Sequence, residues 1–170
     1  MAYPTFWTFE LDERTTHMSL VPTSESSRPI FATPDTVDEV IASFGRTSAT
    51  PAEVAGMLDL AHNLLRTSVV HYEFAALAAE KSFQALERSL RLRLGTDGRP
   101  TFGKLIDLGV ERGLLSKDEA ELMDFGRRLR NFFAHPSTAP ALPLVTVTGM
   151  LRTSHRLIGS LFPDKVSSRN

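Results

Sequence analysis

Residues 116–136 read SKDEAELMDFGRRLRNFFAHP, and this stretch decides the fold that we predict. Ser116 and Glu119 have the spacing of a capping box, in which each side chain satisfies a free backbone N–H group at a helix start. Pro136 disfavours helical backbone at the residue before it and therefore limits the helix. We predict a helix that begins at Lys117 and ends close to His135.

The hydrophobic residues of this predicted helix fall on one side when each residue advances by 100°, within an arc of about 100°. They are Leu122, Phe125, Leu129, Phe132 and Phe133. A polar stripe lies nearly opposite, formed by Asp124, Arg128, Asn131 and His135 and flanked by Arg127 and Arg130. We expect the hydrophobic side to face the core and the polar stripe to be available to a ligand.

The residues before this helix are also mostly helical in pattern. Thr50 and Glu53 have capping-box spacing around Pro51, which indicates a helix start. Apart from Gly56, neither glycine nor proline interrupts residues 51–94, so the pattern predicts one long helix or two helices nearly in line. Further helices are expected from about residue 101 to 112 and from about 143 to 161.

The first fifty residues have a different character. Hydrophobic and polar residues alternate over residues 5–12, which indicates a short strand or extended arm, with Trp7 as a plug against the bundle. Residues 15–33 are rich in Ser, Thr and Pro and are expected to form a surface linker. Asp35 is expected to cap a short helix that ends at Gly45.

Together these patterns predict an all-α protein: a four- to five-helix up-and-down bundle with an extended N-terminal arm. The predicted divisions are an arm and linker with one short helix at about 35–45, a bundle, and a tail, covering residues 1–48, 49–163 and 164–170 respectively. A chain of 170 residues with 42% hydrophobic content can bury one substantial core.

Charge and cysteine content exclude several functions. The formal net charge is -1, but residues 1–50 carry a net -4 and residues 51–170 a net +3. This small excess argues against extensive nonspecific duplex binding and leaves room for a local anion site. The absence of cysteine excludes disulfides, thiolate metal ligands and cysteine nucleophiles. Without a signal-like N-terminus or a long apolar run, we expect a cytoplasmic protein that does not enter the membrane.

The polar stripe combines residue types that suit phosphate chemistry. Histidine has a pKa near neutrality and can transfer protons, arginine stabilises phosphate charge, and asparagine supplies a neutral hydrogen-bonding group. Residues 129–136, Leu-Arg-Asn-Phe-Phe-Ala-His-Pro, resemble the Arg-Asn-x-x-x-His signature of the HEPN domain family. The resemblance covers about residues 51–162.

The resemblance implies a function and a set of roles. Many HEPN proteins are metal-independent endoribonucleases in which two protomers bring their motifs into one cleft. Arg130 and His135 would then be the catalytic pair, and Asn131 would orient them or the RNA. Arg128, Arg127, Asp124 and Glu80 are further candidates for substrate binding or orientation. The expected partners are RNA or a nucleotide, a second copy of the chain, and an antitoxin or defence protein; no metal or cofactor is expected.

One branch of HEPN toxins is neutralised by modification of a tyrosine two residues after the histidine. That position is Ser137 here, which puts this route of neutralisation in doubt. A geometric question also stands, because Arg130 and His135 lie about 140° apart on a straight helix. Distortion at Pro136, the length of the arginine side chain or the partner protomer could join the two groups, and Arg128 shares a face with His135 without any distortion.

Two other functions remain open at this point. The chain could be a HEPN module that binds RNA or a nucleotide without cleaving it, or a structural helical dimer whose polar stripe satisfies groups at an interface. The individual residues also have plain structural explanations. Arginines near a helix C-terminus are favoured by the helix dipole. The glutamates at 73, 80 and 87 suit a solvated flank in which Glu87 pairs with Arg91.

Overall fold

The computed structural model describes residues 10–22, 28–96, 100–133 and 142–164, and for residues 129–133 it describes the backbone alone. The described chain is all-helical, as predicted, apart from a single isolated bridge between Ser19 and Phe31. Its helices are α1 (Glu13–Thr16), α2 (Pro34–Ala42), α3 (Ala52–Thr67), α4 (Phe74–Leu94), α5 (Phe102–Glu111), α6 (Lys117–Phe133) and α7 (Leu144–Leu161). None of them is both long and apolar enough to cross a membrane.

The helix α4 is the centre of the bundle, with α3, α6 and α7 packed around it. Its buried side includes Ala79, Phe83, Leu86 and Leu90, which recur at alternating steps of four and three residues. The small alanines let neighbouring helices approach closely. This spacing is typical of a helix that packs inside a bundle.

The predicted continuous or in-line helix over residues 51–94 is wrong, because α3 and α4 form an antiparallel hairpin. Glu53 near the start of α3 forms an ion pair of 2.7 Å with Arg88 near the end of α4, which requires the chain to reverse. The reversal occurs without glycine or proline. Instead the backbone of the turn is bound from outside: Asp12 Oδ2 accepts a hydrogen bond from Tyr72 N, and Asp12 N donates to the Val69 carbonyl.

The relative directions of the other helices follow from cross-helix contacts. The Tyr72 hydroxyl donates to the Leu142 carbonyl, and Ser154 donates to Ser82 at 3.2 Å, so α7 runs parallel to α4. Along α6, Gly126 lies against Phe83, while Leu115 just before α6 and Leu90 of α4 both lie close to Gly109. The helix α6 therefore runs antiparallel to α4.

Several predicted helix ends are confirmed. Ser116 N donates to Glu119 Oε2 at 2.9 Å and Glu119 N donates to Ser116 Oγ at 3.2 Å, which is the predicted capping box of α6. Thr101 caps α5 through a hydrogen bond from Lys104 N. Gly113 follows α5 with a φ of 66°, a conformation that glycine adopts without strain.

Two predicted caps are wrong. Thr33, not Asp35, caps α2 through a box with Thr36, and the helix ends at Ala42 rather than at Gly45. The start of α3 lies where it was predicted, but its capping box does not form. Thr50 instead shares a hydrogen bond of 3.0 Å with Thr47, and the N-cap of α3 is Pro51, which makes no side-chain hydrogen bond.

The segment predicted to be a surface linker is in part a component of the core. Leu20 is fully buried and Val21 and Ala32 are nearly so. The Thr148 hydroxyl of α7 donates to the Leu20 carbonyl, which attaches the segment to the bundle. Residues 1–9, which include most of the predicted strand and Trp7, lie outside the described residues, as do 23–27.

Candidate functional site

The described part of the predicted site lies on the second half of α6. Asp124 interacts with two arginines that follow it within a turn. Arg127 approaches Asp124 Oδ1 at 2.7 Å through a terminal guanidinium nitrogen and at 2.8 Å through Nε, and Arg128 Nε lies 3.2 Å from Asp124 Oδ2. The carboxylate thus holds both guanidinium groups one turn before Arg130.

The two arginines differ in exposure. The Arg128 side chain is 66% exposed, whereas that of Arg127 is 34% exposed and lies close to Gly103 near the start of α5. Arg128 is therefore the arginine of the pair that can reach a large ligand without rearrangement. Its single long contact with Asp124 makes it the easier of the two to redirect.

The central motif residues lie outside what the structure describes. The backbone of α6 continues as helix through Arg130 and Asn131 to Phe133, but their side chains are among those not described, and His135 falls in the gap 134–141. That Arg130 and His135 meet stays a prediction, whether distortion at Pro136, the length of the arginine side chain or the partner protomer joins them.

Glu80, the proposed acidic contributor from α4, is half-buried and accepts a hydrogen bond of 3.1 Å from Gln84 Nε2. It lies about one helical turn before Phe83, and Phe83 packs against Gly126. Because α6 runs antiparallel to α4, Glu80 lies toward the C-terminal end of α6, where the motif is found. The neighbouring glutamates have structural roles: Glu87 pairs with Arg91 at 2.7 Å, as predicted, and Glu73 pairs with Arg14.

The expected core face of α6 is wrong for two of its residues. Leu122 is 37% exposed and Phe125 is 54% exposed, whereas Met123 and Gly126 are buried. The helix is rotated relative to the prediction because Gly126 admits the Phe83 ring: a Cβ at position 126 would lie 2.2 Å from Phe83 Cε1. Glycine does not count as hydrophobic in such a pattern. The pattern therefore assigned the buried side to Leu122 and Phe125 and not to the neighbouring Met123 and Gly126.

A second polar cluster was not found from the sequence. The rings of His62 of α3 and His155 of α7 are nearly parallel, with centroids 4.9 Å apart, and share a hydrogen bond of 2.8 Å between their Nε2 atoms. His155 Nδ1 lies 3.0 Å from the Gly45 carbonyl, which can only accept. His155 therefore donates through Nδ1 and accepts through Nε2, and His62 donates through its own Nε2. The two residues are 93 positions apart, so no local spacing could have paired them.

Burial and repulsion keep this pair neutral. Burial first, and then the neighbouring His155, lower the pKa of His62 to about 4. Burial also lowers the pKa of His155. The nearby charges are Asp59, whose Oδ1 is 4.0 Å from His62 Nδ1, and the arginines Arg46 and Arg66. Within the described residues, no group of three or more His, Asp or Glu side chains is arranged to hold a metal ion.

Comparisons with protein-family models, with curated proteins and with solved structures found no match.

Proposed function

We propose that this protein is a metal-independent endoribonuclease of the HEPN type, acting as a homodimer in the cytoplasm in a toxin or antiviral-defence role. The observation that carries the proposal is the position of the motif: Arg130 and Asn131 lie in the last turn of a capped helix in an all-helical bundle. One turn earlier, Asp124 holds Arg127 and Arg128 in place. The HEPN resemblance supplies the roles.

The proposed reaction is an internal transfer at phosphorus. The 2′-hydroxyl oxygen of RNA attacks the adjacent phosphate, the P–O5′ bond breaks, and a 2′,3′-cyclic phosphate and a free 5′-hydroxyl form. His135 transfers a proton in this exchange, and Arg130 stabilises the negative charge that builds on the phosphorane. Asn131 would orient the pair or the RNA, Arg128 would hold a flanking phosphate, and Glu80 would help to orient an arginine.

The described contacts also favour a second candidate, a HEPN module that binds RNA or a nucleotide without cleaving it. Asp124 already neutralises two of the basic groups of the stripe, and Arg127 is bound to it through two nitrogens. Arginines held in this way can bind phosphate by exchange of partners but are not free to move far. A structural dimer is the third candidate, in which the same ion pairs serve only an interface.

A cleavage assay with paired variants separates these candidates. Labelled single-stranded RNA is incubated in EDTA with the wild type and with Arg130→Ala, His135→Ala and Arg128→Ala, each checked for unchanged thermal unfolding. We expect Arg130→Ala and His135→Ala to lower cleavage by about a hundredfold or more, because each removes a group that acts on the reacting atoms. Arg128→Ala should weaken RNA binding by about tenfold or less and retain cleavage at saturating RNA.

Arg66→Ala, on the exposed surface of α3, serves as the control for general loss of positive charge. Binding without cleavage in the wild type would favour the binding module. Neither binding nor cleavage by a folded dimer would favour the structural role. If Arg128→Ala lost cleavage and Arg130→Ala retained it, Arg128 and not Arg130 would be the arginine that stabilises the phosphorane.

A further inference from the structure

The hydrophobic residues that α6 turns away from the core form part of a groove between α6 and α7. Leu122 and Phe125 border two adjoining depressions and belong to both. The first depression has a volume of about 240 Å³ and is almost entirely apolar. Its other lining residues are Phe83, Gly126, Thr146, Gly149, Met150 and Thr153. The groove thus has large side chains at its floor and edge and small residues along α7.

Because small residues form its wall on α7, the apolar part of the groove is open enough for an α-helix to approach. Nothing lies within 4 Å of the position that a Cβ on Gly149 would occupy. Thr146 and Thr153 extend the low wall by about one turn on either side of Gly149. A helix can approach a wall of this kind closely and insert its own large side chains between Phe125 and Met150.

The second depression, of about 580 Å³, gives the groove an acidic end. Asp118, Glu119 and Glu121 line it, with Arg156 as the one basic residue. Glu119 is bound by its capping box. Within the described part of the chain, the side chains of Asp118, Glu121 and Arg156 make no hydrogen bond or ion pair. The helix dipole accounts for acidic residues in the first turn, but Glu121 lies beyond that turn.

We propose that this groove, lined by Leu122, Phe125, Met150, Asp118 and Glu121, is a docking site for a basic amphipathic helix of a partner protein. Hydrophobic side chains of the partner would pack on Phe125 and Met150, and its lysines or arginines would pair with Asp118 and Glu121. This inference does not depend on ribonuclease activity.

Charge complementarity selects this occupant over the alternatives. A phosphate backbone is repelled by an end that carries three carboxylates and one arginine. In a two-fold pairing through the groove, each copy presents the same acidic end, and the single Arg156 on each side leaves most of those carboxylates without an opposite charge. A basic amphipathic helix can pack on the apolar floor and pair with the carboxylates of the acidic end.

The proposal is tested by fluorescence anisotropy with two labelled peptides and the full chain. Both peptides are about four helical turns long and carry leucine at every third and fourth position; one has lysine at the remaining positions and the other has glutamate. We expect the lysine peptide to bind at least about tenfold more tightly than the glutamate peptide, because rim charges discriminate between partners.

Two sets of variants locate the binding. Phe125→Ser should weaken binding of the lysine peptide by about tenfold or more. Leu60→Ser and Leu77→Ser, at similarly exposed leucines on α3 and α4, should leave that binding unchanged. The double variant Asp118→Lys and Glu121→Lys should reverse the preference between the two peptides. Each variant is checked for wild-type thermal unfolding.

Three results would overturn the proposal. The first is equal binding of both peptides or of neither, and the second is binding that Phe125→Ser does not change. The third is a wild-type dimer, seen by sedimentation, that Phe125→Ser converts to a monomer, because the occupant would then be a second copy of this chain.

Discussion

Gly126 is the residue that sets the rotation of α6, because its missing side chain admits the ring of Phe83. We predict that Gly126→Ala destabilises the fold by about 1–3 kcal/mol, since the new Cβ overlaps a ring that cannot bend away. The matched control is Gly56→Ala in α3, where a Cβ meets nothing within 4 Å and the change should stabilise by about 0.5–1 kcal/mol. Urea unfolding measures both, and equal effects of the two substitutions would refute this role for Gly126.

The buried histidine pair makes stability depend on pH. The pKa of His62 is lowered from 6.5 to about 4 in the folded chain, so between these values the unfolded chain binds more protons than the folded one. Stability should therefore be full above pH 6.5 and fall as the pH drops toward 4. The urea midpoint, measured across this range, should decline less steeply in His62→Gln and keep the wild-type slope in His71→Gln, at an exposed histidine. A wild-type midpoint that rises as pH falls would contradict the neutral pair.

At the scale of elements, the α3–α4 hairpin depends on Asp12, which caps α1 and binds the turn. We predict that Asp12→Ala lowers stability by about 1–2 kcal/mol, because Arg14 N and Tyr72 N both lose their acceptor. Hydrogen bonds from Arg14 hold the pKa of Asp12 below its usual range, so this contribution is lost as pH falls below about 4.

The comparison for this prediction is Glu73→Ala, which removes an exposed ion pair with Arg14 and should lower stability clearly less than Asp12→Ala does. Thermal or urea unfolding of the two variants gives the answer. If both variants lost the same stability, Asp12 would contribute through its ion pair with Arg14 and not through its hydrogen bond to the turn.

The elements show what local sequence can predict. The box at Ser116 depends on residues three apart and was predicted correctly, as was the start of α5 at about residue 101. The α3–α4 reversal was missed because Asp12, 60 positions away, supplies the acceptor for its turn. In the same way, the exposed face of α6 depends on a contact between Gly126 and a ring on another helix.

At the scale of the whole molecule, the all-helical class and the position of α6 followed from periodicity and capping signals. Of the predicted polar stripe, the structure describes Asp124 with Arg128 and the flanking Arg127, which meet because residues three and four apart on a helix are neighbours. The histidine pair and the groove between α6 and α7 required tertiary packing, which no local pattern records. The proposed function requires, at this scale, that two copies bring their motifs together.

The proposed ribonuclease cleaves RNA by attack of the 2′-hydroxyl on the adjacent phosphate, and this step can be tested without variants. The most direct measurement compares one labelled RNA with the same oligonucleotide methylated at every 2′-oxygen, both incubated with the wild type in EDTA. We expect the unmodified RNA to be cut to fragments ending in 2′,3′-cyclic phosphate or 3′-phosphate, the methylated RNA to stay intact, and His135→Ala to cut neither. Cleavage of the methylated strand, or no cleavage of either by folded protein, would contradict it.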